Sequence, residues 1–178
     1  MKKRVIAIST LALIVLAVGM TSAWFLASES EANKFKMGTV EVEVVEPGFN
    51  DLTGIQAGTH NKNVKVVSRG TKRTYVRVSL VPEWSEPSLP ISNVQLNLSS
   101  SDWVDGGDGF YYYKYYLTKN QETSLLLQSV TFTSVGPEYN GKTLTIKASA
   151  EGVQITHDAW KDIWGRTSLP FTPGIPKP

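Results

Sequence analysis

The sequence predicts an all-β protein: a jelly-roll-like β-sandwich with one short helix towards the C-terminus, preceded by a signal peptide. Two observations predict the sandwich. Seven or more short stretches alternate apolar and polar residues, as half-buried strands do, and clusters of glycine, proline, asparagine and aspartate separate them. A third observation, a basic start followed by an apolar run, predicts the signal peptide. The chain shows no internal repeat and no sign of a second domain.

The first 23 residues are predicted to direct export. Residues 2–4 are basic, and the apolar run from 5 to 19 is shorter than the roughly 20 residues that span a bilayer comfortably. Small residues then lead to Ala23, so we predict that a signal peptidase cleaves between Ala23 and Trp24. A retained membrane anchor is the alternative interpretation. Cleavage would release the mature protein to the extracellular matrix or the cell surface.

The remaining chain is predicted to form one domain with two flanking segments. The predicted parts are the signal peptide (1–23), an N-terminal segment (24–37), the β-sandwich domain (38–167) and a proline-rich tail (168–178). Loss of the three basic residues of the signal leaves 15 basic against 16 acidic residues, so the mature chain has no electrostatic footprint for nucleic acid. It contains no cysteine, which excludes disulfides and thiolate chemistry and favours a Gram-positive cell surface.

The strands are predicted from alternation, in chain order. The first runs from Thr39 to Val44, and the strand from Tyr75 to Leu80 is expected to turn Val76, Val78 and Leu80 inwards. The other predicted strands are Val64–Val66, Asn93–Leu98, Trp103–Val104, Phe110–Leu117, Val130–Phe132 and Leu144–Ala148. A helix is predicted near Ala159, with Thr156 as its cap, Ala159, Trp160, Ile163 and Trp164 on one face and Gly165 at its end.

The strand after the Asp105–Gly109 turn is unusually aromatic. Alternation places Tyr111, Tyr113, Tyr115 and Leu117 on one face, and Phe110, Tyr112 and Tyr116 on the other. One face can belong to the core of the domain. The aromatic side chains on the other face must also pack against another surface. Two interpretations remain open: a row of aromatics at an interface with a partner, or a strand that is buried on both faces. The possible interface residues are Tyr111, Tyr112, Tyr113, Tyr115 and Tyr116.

Catalytic and metal-binding motifs are weak in this sequence. His60 and His157 are far apart, and neither belongs to a zinc-protease pattern, so we expect both in surface loops. Asp102, Asp105 and Asp108 are three apart, without the spacing or closing glutamate of a calcium loop, and a turn is the favoured interpretation. The prediction therefore contains no catalytic residue, no metal site and no cofactor.

The junction after Ala23 carries the most specific pattern. An aromatic follows the predicted cleavage point, a polar spacer leads to Asn-x-Phe, and Gly-Thr then opens an alternating strand; the residues are Phe25, Asn33, Phe35, Gly38 and Thr39. This junction resembles the export signature of the TasA/camelysin family. Later stretches resemble its clostridial BsaA-type branch: Tyr75–Val78, Trp103–Tyr116, Ala148–Gln154, Ala159–Trp160 and Trp164–Gly165. Ala57–Thr59 and Leu26–Ser28 depart from the pattern, which bears on the branch more than on the family.

The resemblance implies a secreted, non-enzymatic subunit of biofilm matrix fibres with a jelly-roll fold. It further implies a SipW-type signal peptidase as a partner, a head-to-tail homopolymer, and a minor anchoring or sister subunit. In such an assembly the freed N-terminus adds as a strand to the next subunit. The donor residues would be Trp24, Phe25, Leu26, Ala27 and Phe35, whose apolar side chains are costly to leave in water. They could alternatively pack on their own subunit or serve peptidase recognition.

Two other functions are compatible with the sequence. The camelysin name implies a cell-surface metalloprotease, although no recognisable zinc site accompanies it. The aromatic hairpin would suit a monomeric surface adhesin.

Overall fold

Eight antiparallel strands form the described part of the domain. In this computed structural model the described residues are 39–46 and 56–178, and residues 38–178 form one compact unit. The strands are β1 (Val42–Val45), β2 (Gly58–Ser68), β3 (Thr74–Trp84), β4 (Val94–Leu98), β5 (Trp103–Asp105), β6 (Tyr111–Tyr113), β7 (Leu127–Phe132) and β8 (Leu144–Gln154). One helix follows, α1 (Ala159–Trp164). Short 3-10 turns lie at Ile91–Asn93, Pro137–Tyr139 and Thr156–Asp158.

The strands form two four-stranded sheets. Sheet I has the order β1-β2-β7-β4, and sheet II has the order β5-β6-β3-β8. The longest pairing joins β3 to β8 over eleven residues without a shift in register, from Thr74 opposite Gln154 to Trp84 opposite Leu144. The prediction of an all-β sandwich with one short helix is confirmed at this level, because both sheets are antiparallel and share one core.

The main core lies between the sheets. Alternation gives each strand an apolar face, and these faces meet: Val64 and Val66 of β2 are fully buried with Val76 and Val78 of β3. Val76, Val78 and Leu80 point inwards, as predicted. Burying such side chains is worth about 1.5–3 kcal/mol each, which makes this layer the main source of stability.

A second apolar cluster covers the outer face of sheet II, and we call it the C-terminal layer. It consists of Tyr75, Tyr112, Val153, Trp160 and Trp164, with Phe110, Tyr116, Ile155, Ala159, Leu169 and Phe171 packed against it. The helix and the chain that follows it therefore convert the outer face of sheet II into a second buried surface.

The helix differs in detail from the prediction. Thr156 begins a 3-10 turn instead of capping the α-helix, whose first flanking residue is Asp158 in a left-handed conformation. Ile163 is 67% exposed, so the predicted inclusion of this side chain in the apolar face is wrong. A six-residue helix contacts the sheet through one narrow stripe, here the i, i+4 pair Trp160 and Trp164. Gly165 ends the helix with φ 63°, as predicted.

Candidate assembly surfaces

The predicted assembly residues fall in two groups. The cleavage pair Ala23 and Trp24 lies outside the described residues, and so do the predicted donor residues Phe25, Leu26, Ala27 and Phe35. The tyrosines from 111 to 116 lie within the described domain. Three features of the described domain bear on assembly. They are the point where the chain enters the domain, the edges of the two sheets and the outer faces of the sheets.

The chain enters the domain at Thr39, beside the turn between β2 and β3. The Thr39 carbonyl accepts hydrogen bonds from the amides of Thr71 and Lys72 at 2.9 and 3.2 Å, and the Thr39 amide donates to the Thr71 hydroxyl at 3.0 Å. Gly70 permits this approach, because a Cβ at that position would lie 2.3 Å from the Thr39 carbonyl oxygen. The domain thus fixes the main chain immediately after the predicted N-terminal segment.

Strand β1 then pairs with the C-terminal end of β2. Its four residues pair with Lys65 to Ser68, and Glu43 forms an ion pair with Arg69 at 2.8 Å. Glu46 forms a second ion pair, with Lys62. The Glu43–Arg69 pair is exposed and contributes little energy, whereas Lys62 of the second pair is largely buried. The four residues of β1 themselves are attached chiefly by main-chain pairing with β2.

The four sheet edges are unequal in length. The edges of sheet I are β1 and β4, with four and five residues, and the edges of sheet II are β5, with three residues, and β8, with eleven. Short edges are one of the ways in which proteins limit unwanted strand addition. Strand β8 is the exception among the described residues.

The register shows which main-chain groups of β8 face outwards. Hydrogen bonds from Ser85 to Thr143 and from Ile155 to Arg73 bracket the β3–β8 ladder, so the odd-numbered residues of β8 bond to β3. The amides and carbonyls of the even-numbered residues point away from β3. These residues are Leu144, Ile146, Ala148, Ala150, Gly152 and Gln154.

The aromatic strand is divided between the two apolar clusters. Tyr113 is buried in the main core, where Tyr111, Tyr115 and Leu117 also pack. Tyr112 is buried in the C-terminal layer, and Phe110 and Tyr116 pack against it. The faces are those that alternation predicts. Tyr112 and Tyr113 are 0% and 1% exposed, which corresponds to a strand buried on both faces at these two positions.

A buried arginine organises the C-terminal layer. The Arg77 guanidinium lies 4.0 Å from the centre of the Phe110 ring and 4.9 Å from that of Trp164. It donates two hydrogen bonds to one carboxylate oxygen of Glu151, at 2.9 and 2.8 Å, and one to the Tyr112 hydroxyl at 3.1 Å. Cation–π contacts and charge-assisted hydrogen bonds offset the cost of burying this charge.

Asp108 links the hairpin turn to the chain after the helix. Its carboxylate accepts hydrogen bonds from the Tyr112 hydroxyl at 2.7 Å and from Arg166 at 2.5 Å. Burial by itself would raise the pKa of Asp108, but the hydrogen bonds from Tyr112 and Arg166 outweigh burial and hold it below the ordinary value. Burial, followed by the hydrogen bond to Asp108, raises the pKa of Tyr112.

The proline-rich tail lies against sheet II. The amide of Tyr116 donates to the Ile175 carbonyl at 3.0 Å, and the amide of Lys177 donates back to Tyr116 at 3.2 Å. The amide of Gly174 donates to the Tyr75 hydroxyl at 2.7 Å. Between the tail and the hairpin is an open groove of about 300 Å³, lined by Val104, Lys114, Tyr115, Pro170, Phe171, Thr172 and Ile175. Its walls carry no carboxylate or imidazole that would suit acid–base chemistry.

The outer face of sheet I is polar and uncharged over β4, β7 and the first part of β2, whereas Lys65 of β2 and Glu43 of β1 carry ion-paired charges. Two rows of side chains cross β4, β7 and β2, and each row follows the strand register; they are Gln95, Thr131 and Thr59, and Asn97, Ser129 and Asn61. The Asn97 side-chain amide donates to Ser129 and Thr131 at 2.9 Å each, and the hydroxyls of Thr131 and Thr59 lie 2.8 Å apart. Side-chain hydrogen bonds within this face therefore link β4, β7 and β2.

The remaining sequence candidates occupy separate places. His60 lies on β2 and not in a loop: its ring packs 5.4 Å from that of Phe132 and hydrogen-bonds the Gln56 carbonyl. His157 is exposed, with φ 57°. Asp105 accepts a hydrogen bond from the Gly107 amide, which is a turn interaction. Within residues 39–46 and 56–178, no three acidic or histidine side chains cluster as a metal site would need, and no helix has the length and apolarity to cross a membrane.

No family model matches the chain, and no curated protein is significantly similar to it in sequence.

Sequence reasoning missed the buried Arg77 cluster. Alternation placed Arg77 on the outer face of β3, where an arginine is normally solvated. The sequence did contain one signal, the second aromatic face of the hairpin strand, which carries Phe110, Tyr112 and Tyr116. If that outer face is covered, a charged side chain on it, such as Arg77, must be buried with a partner.

Proposed function

We propose that this protein is a secreted, non-enzymatic structural subunit that polymerises head to tail into extracellular biofilm matrix fibres. Its assembly element is the mature N-terminal segment from Trp24 to Phe35, which adds as a strand to the next subunit. A SipW-type signal peptidase would create the free end by cleavage after Ala23, and a minor sister or anchoring subunit would start or tether the fibre. The motivation is the export junction that resembles the TasA/camelysin family.

One observation carries the proposal. Both described sheets are built by residues between Val42 and Gln154, so neither sheet requires the residues before Thr39. The segment from Trp24 to Ala27 nevertheless has four apolar residues in succession. A chain terminus that the domain does not need would normally be polar, and large apolar groups there favour a docking role.

We further propose that the sandwich is a jelly roll. In that topology an antiparallel hairpin is rolled into two sheets, so strands pair second with seventh and third with sixth. The β2–β7 and β3–β6 pairs support this assignment. Strand β1 also lies beside β8, since a Cβ on Gly152 would be 2.8 Å from Val42. The departures are β1, which pairs with β2 instead of β8, and β5, which pairs with β6 instead of β4.

The direct test compares two purified proteins, one starting at Trp24 and one starting at Gly38. We expect fibres by negative-stain electron microscopy only from the first, and a folded monomer of the same far-ultraviolet circular dichroism from the second. A precursor carrying Ala23→Pro, which blocks cleavage, serves as the matched control and should stay monomeric. Fibres from both mature forms, or from neither, would show that the N-terminal segment is not the assembly element.

A further inference from the structure

The outward edge of β8 is the least protected edge of the described sandwich. It is eleven residues long, carries no proline and pairs with β3 without a bulge. Proteins usually protect an edge with a short strand, a proline, a bulge or an unpaired charge. The charges of β8 are Lys147 and Glu151, and both are paired with β3: Lys147 with Glu83 at 2.7 Å and Glu151 with Arg77 at 2.8 Å. A soluble monomer would be expected to cover such an edge.

One end of this edge is covered on its core-facing side. A Cβ on Gly152 would point towards the core and lie 3.1 and 2.8 Å from the side chains of Val40 and Val42. From Leu144 to Ala150, none of the described residues pairs with the outward amides and carbonyls. This stretch of seven residues would take a strand of about the same length, or roughly 23 Å.

The core-facing side of the same stretch is incompletely packed. Leu144, Ala148 and Ala150 turn towards the main core but remain only partly buried, whereas Ile146 between them is buried. The two alanines leave room beside the edge for larger side chains of an added strand. An incoming strand would thus gain main-chain hydrogen bonds and apolar contacts together.

We propose that the outward edge of β8, from Leu144 to Ala150, is the acceptor site for the N-terminal segment of a second copy of this chain. This inference rests on the proposed function and specifies where that function acts. The occupant follows from composition and position. Residues 24–27 are apolar and precede the fixed point at Thr39. In an extended strand alternate side chains share a face, so a large one such as Phe25 would fill the space at Ala148 and Ala150 while its neighbours Trp24 and Leu26 face the other way.

Replacing Ala148 by proline should disrupt the acceptor edge without disturbing the pairing of β8 with β3. It removes one outward amide and leaves every hydrogen bond between β8 and β3 in place, because residue 148 does not bond to β3. The matched control, Ala148→Ser, keeps the amide with little change in size. The fold of each variant is checked by thermal unfolding of the form that starts at Gly38.

We expect the Ala148→Pro protein starting at Trp24 to form no fibres by itself, while Ala148→Ser does. Because its donor segment is intact, Ala148→Pro should add to the wild-type acceptor and end growth. When one molecule in about ten is the Ala148→Pro variant and the rest are wild type, head-to-tail growth should stop at a mean fibre length of about ten subunits. Normal fibres from a folded Ala148→Pro protein would overturn the acceptor site and leave the proposed function standing. A folded variant that neither polymerises nor shortens wild-type fibres would also overturn it.

The absence of cysteine allows an independent check. A protein with Leu26→Cys is mixed with one carrying Ser149→Cys, and oxidation should trap a cross-linked dimer. Thr131→Cys on the outer face of sheet I is the control and should give no cross-link. Cross-linking at position 131 but not at 149 would contradict the β8 site. If the unmodified mature protein forms no fibres at all, the proposed function itself fails, which is a distinct result.

Discussion

The outer faces of the two sheets are covered in different ways. On sheet II the C-terminal layer buries aromatic rings around Arg77, and Tyr112 is completely inaccessible. On sheet I the outer face of β4, β7 and the first part of β2 is a grid of uncharged polar side chains, such as Asn97 and Thr131, that hydrogen-bond one another. One sheet is therefore the middle layer of three, and the other is a surface.

The difference teaches how to interpret an aromatic run in a strand. A strand with one bare face alternates, as β7 does between Val130 and Thr131. A strand covered on both faces loses its alternation, and the run from Phe110 to Tyr116 is the result. Aromatic density in such a strand is evidence of a second layer within the chain as much as of an external partner.

The largest expected effect is the loss of the helix contact. Replacing Trp164 by alanine should lower the free energy of unfolding by about 3–5 kcal/mol, because the ring is 7% exposed and packs on Tyr112 and Arg77. The neighbouring Ile163→Ala is the control and should change it by less than about 0.5 kcal/mol, since Ile163 is exposed. Chemical denaturation measures both. Equal losses would mean that the C-terminal layer is not a packed layer.

A smaller effect on the free energy of unfolding should distinguish a buried arginine, Arg77, from an exposed one, Arg69. Arg77→Leu should cost about 1.5–3 kcal/mol, since the charge-assisted hydrogen bonds to Glu151 are lost from a buried site. Arg69→Leu on sheet I removes an exposed ion pair with Glu43 and should cost at most about 1 kcal/mol. The urea concentrations at the unfolding midpoints of the two variants measure this difference. An Arg69 variant as costly as the Arg77 variant would remove the distinction between the two faces.

The smallest expected effect is a pH dependence at Asp108. Its pKa is lower in the folded protein, so its contribution is complete above the unfolded value of about 3.9 and is lost as pH falls through the folded value. Thermal midpoints should therefore fall below about pH 4, and Asp108→Asn should weaken that fall while lowering the midpoint at neutral pH. An unchanged acid slope in the variant would exclude Asp108 as the cause.

Much of the fold could be predicted from local pattern. The alternation at Val76, Val78 and Leu80 gave the inward face of β3, and Gly165 gave the end of the helix. Local patterns succeed here because side-chain direction in a strand depends only on the neighbouring residues. The extent of the strands was less predictable: β8 continues to Gln154, six residues beyond the predicted end at Ala148, because pairing with β3 stabilises residues whose own pattern is weak.

The candidate site depended on long-range pairing. By itself the sequence determined which residues of each strand face the core, and it determined the apolar character of the segment after Ala23. Strands β3 and β8 are equally long, and their patterns do not identify the edge: proline favours an edge strand, yet Pro82 lies in β3, which is central. Only the tertiary structure decided that β6 pairs with the free side of β3 while β8 remains at the edge. The reason is that the face of a side chain is a local property, whereas the vacancy of a main-chain edge depends on which distant strands come together.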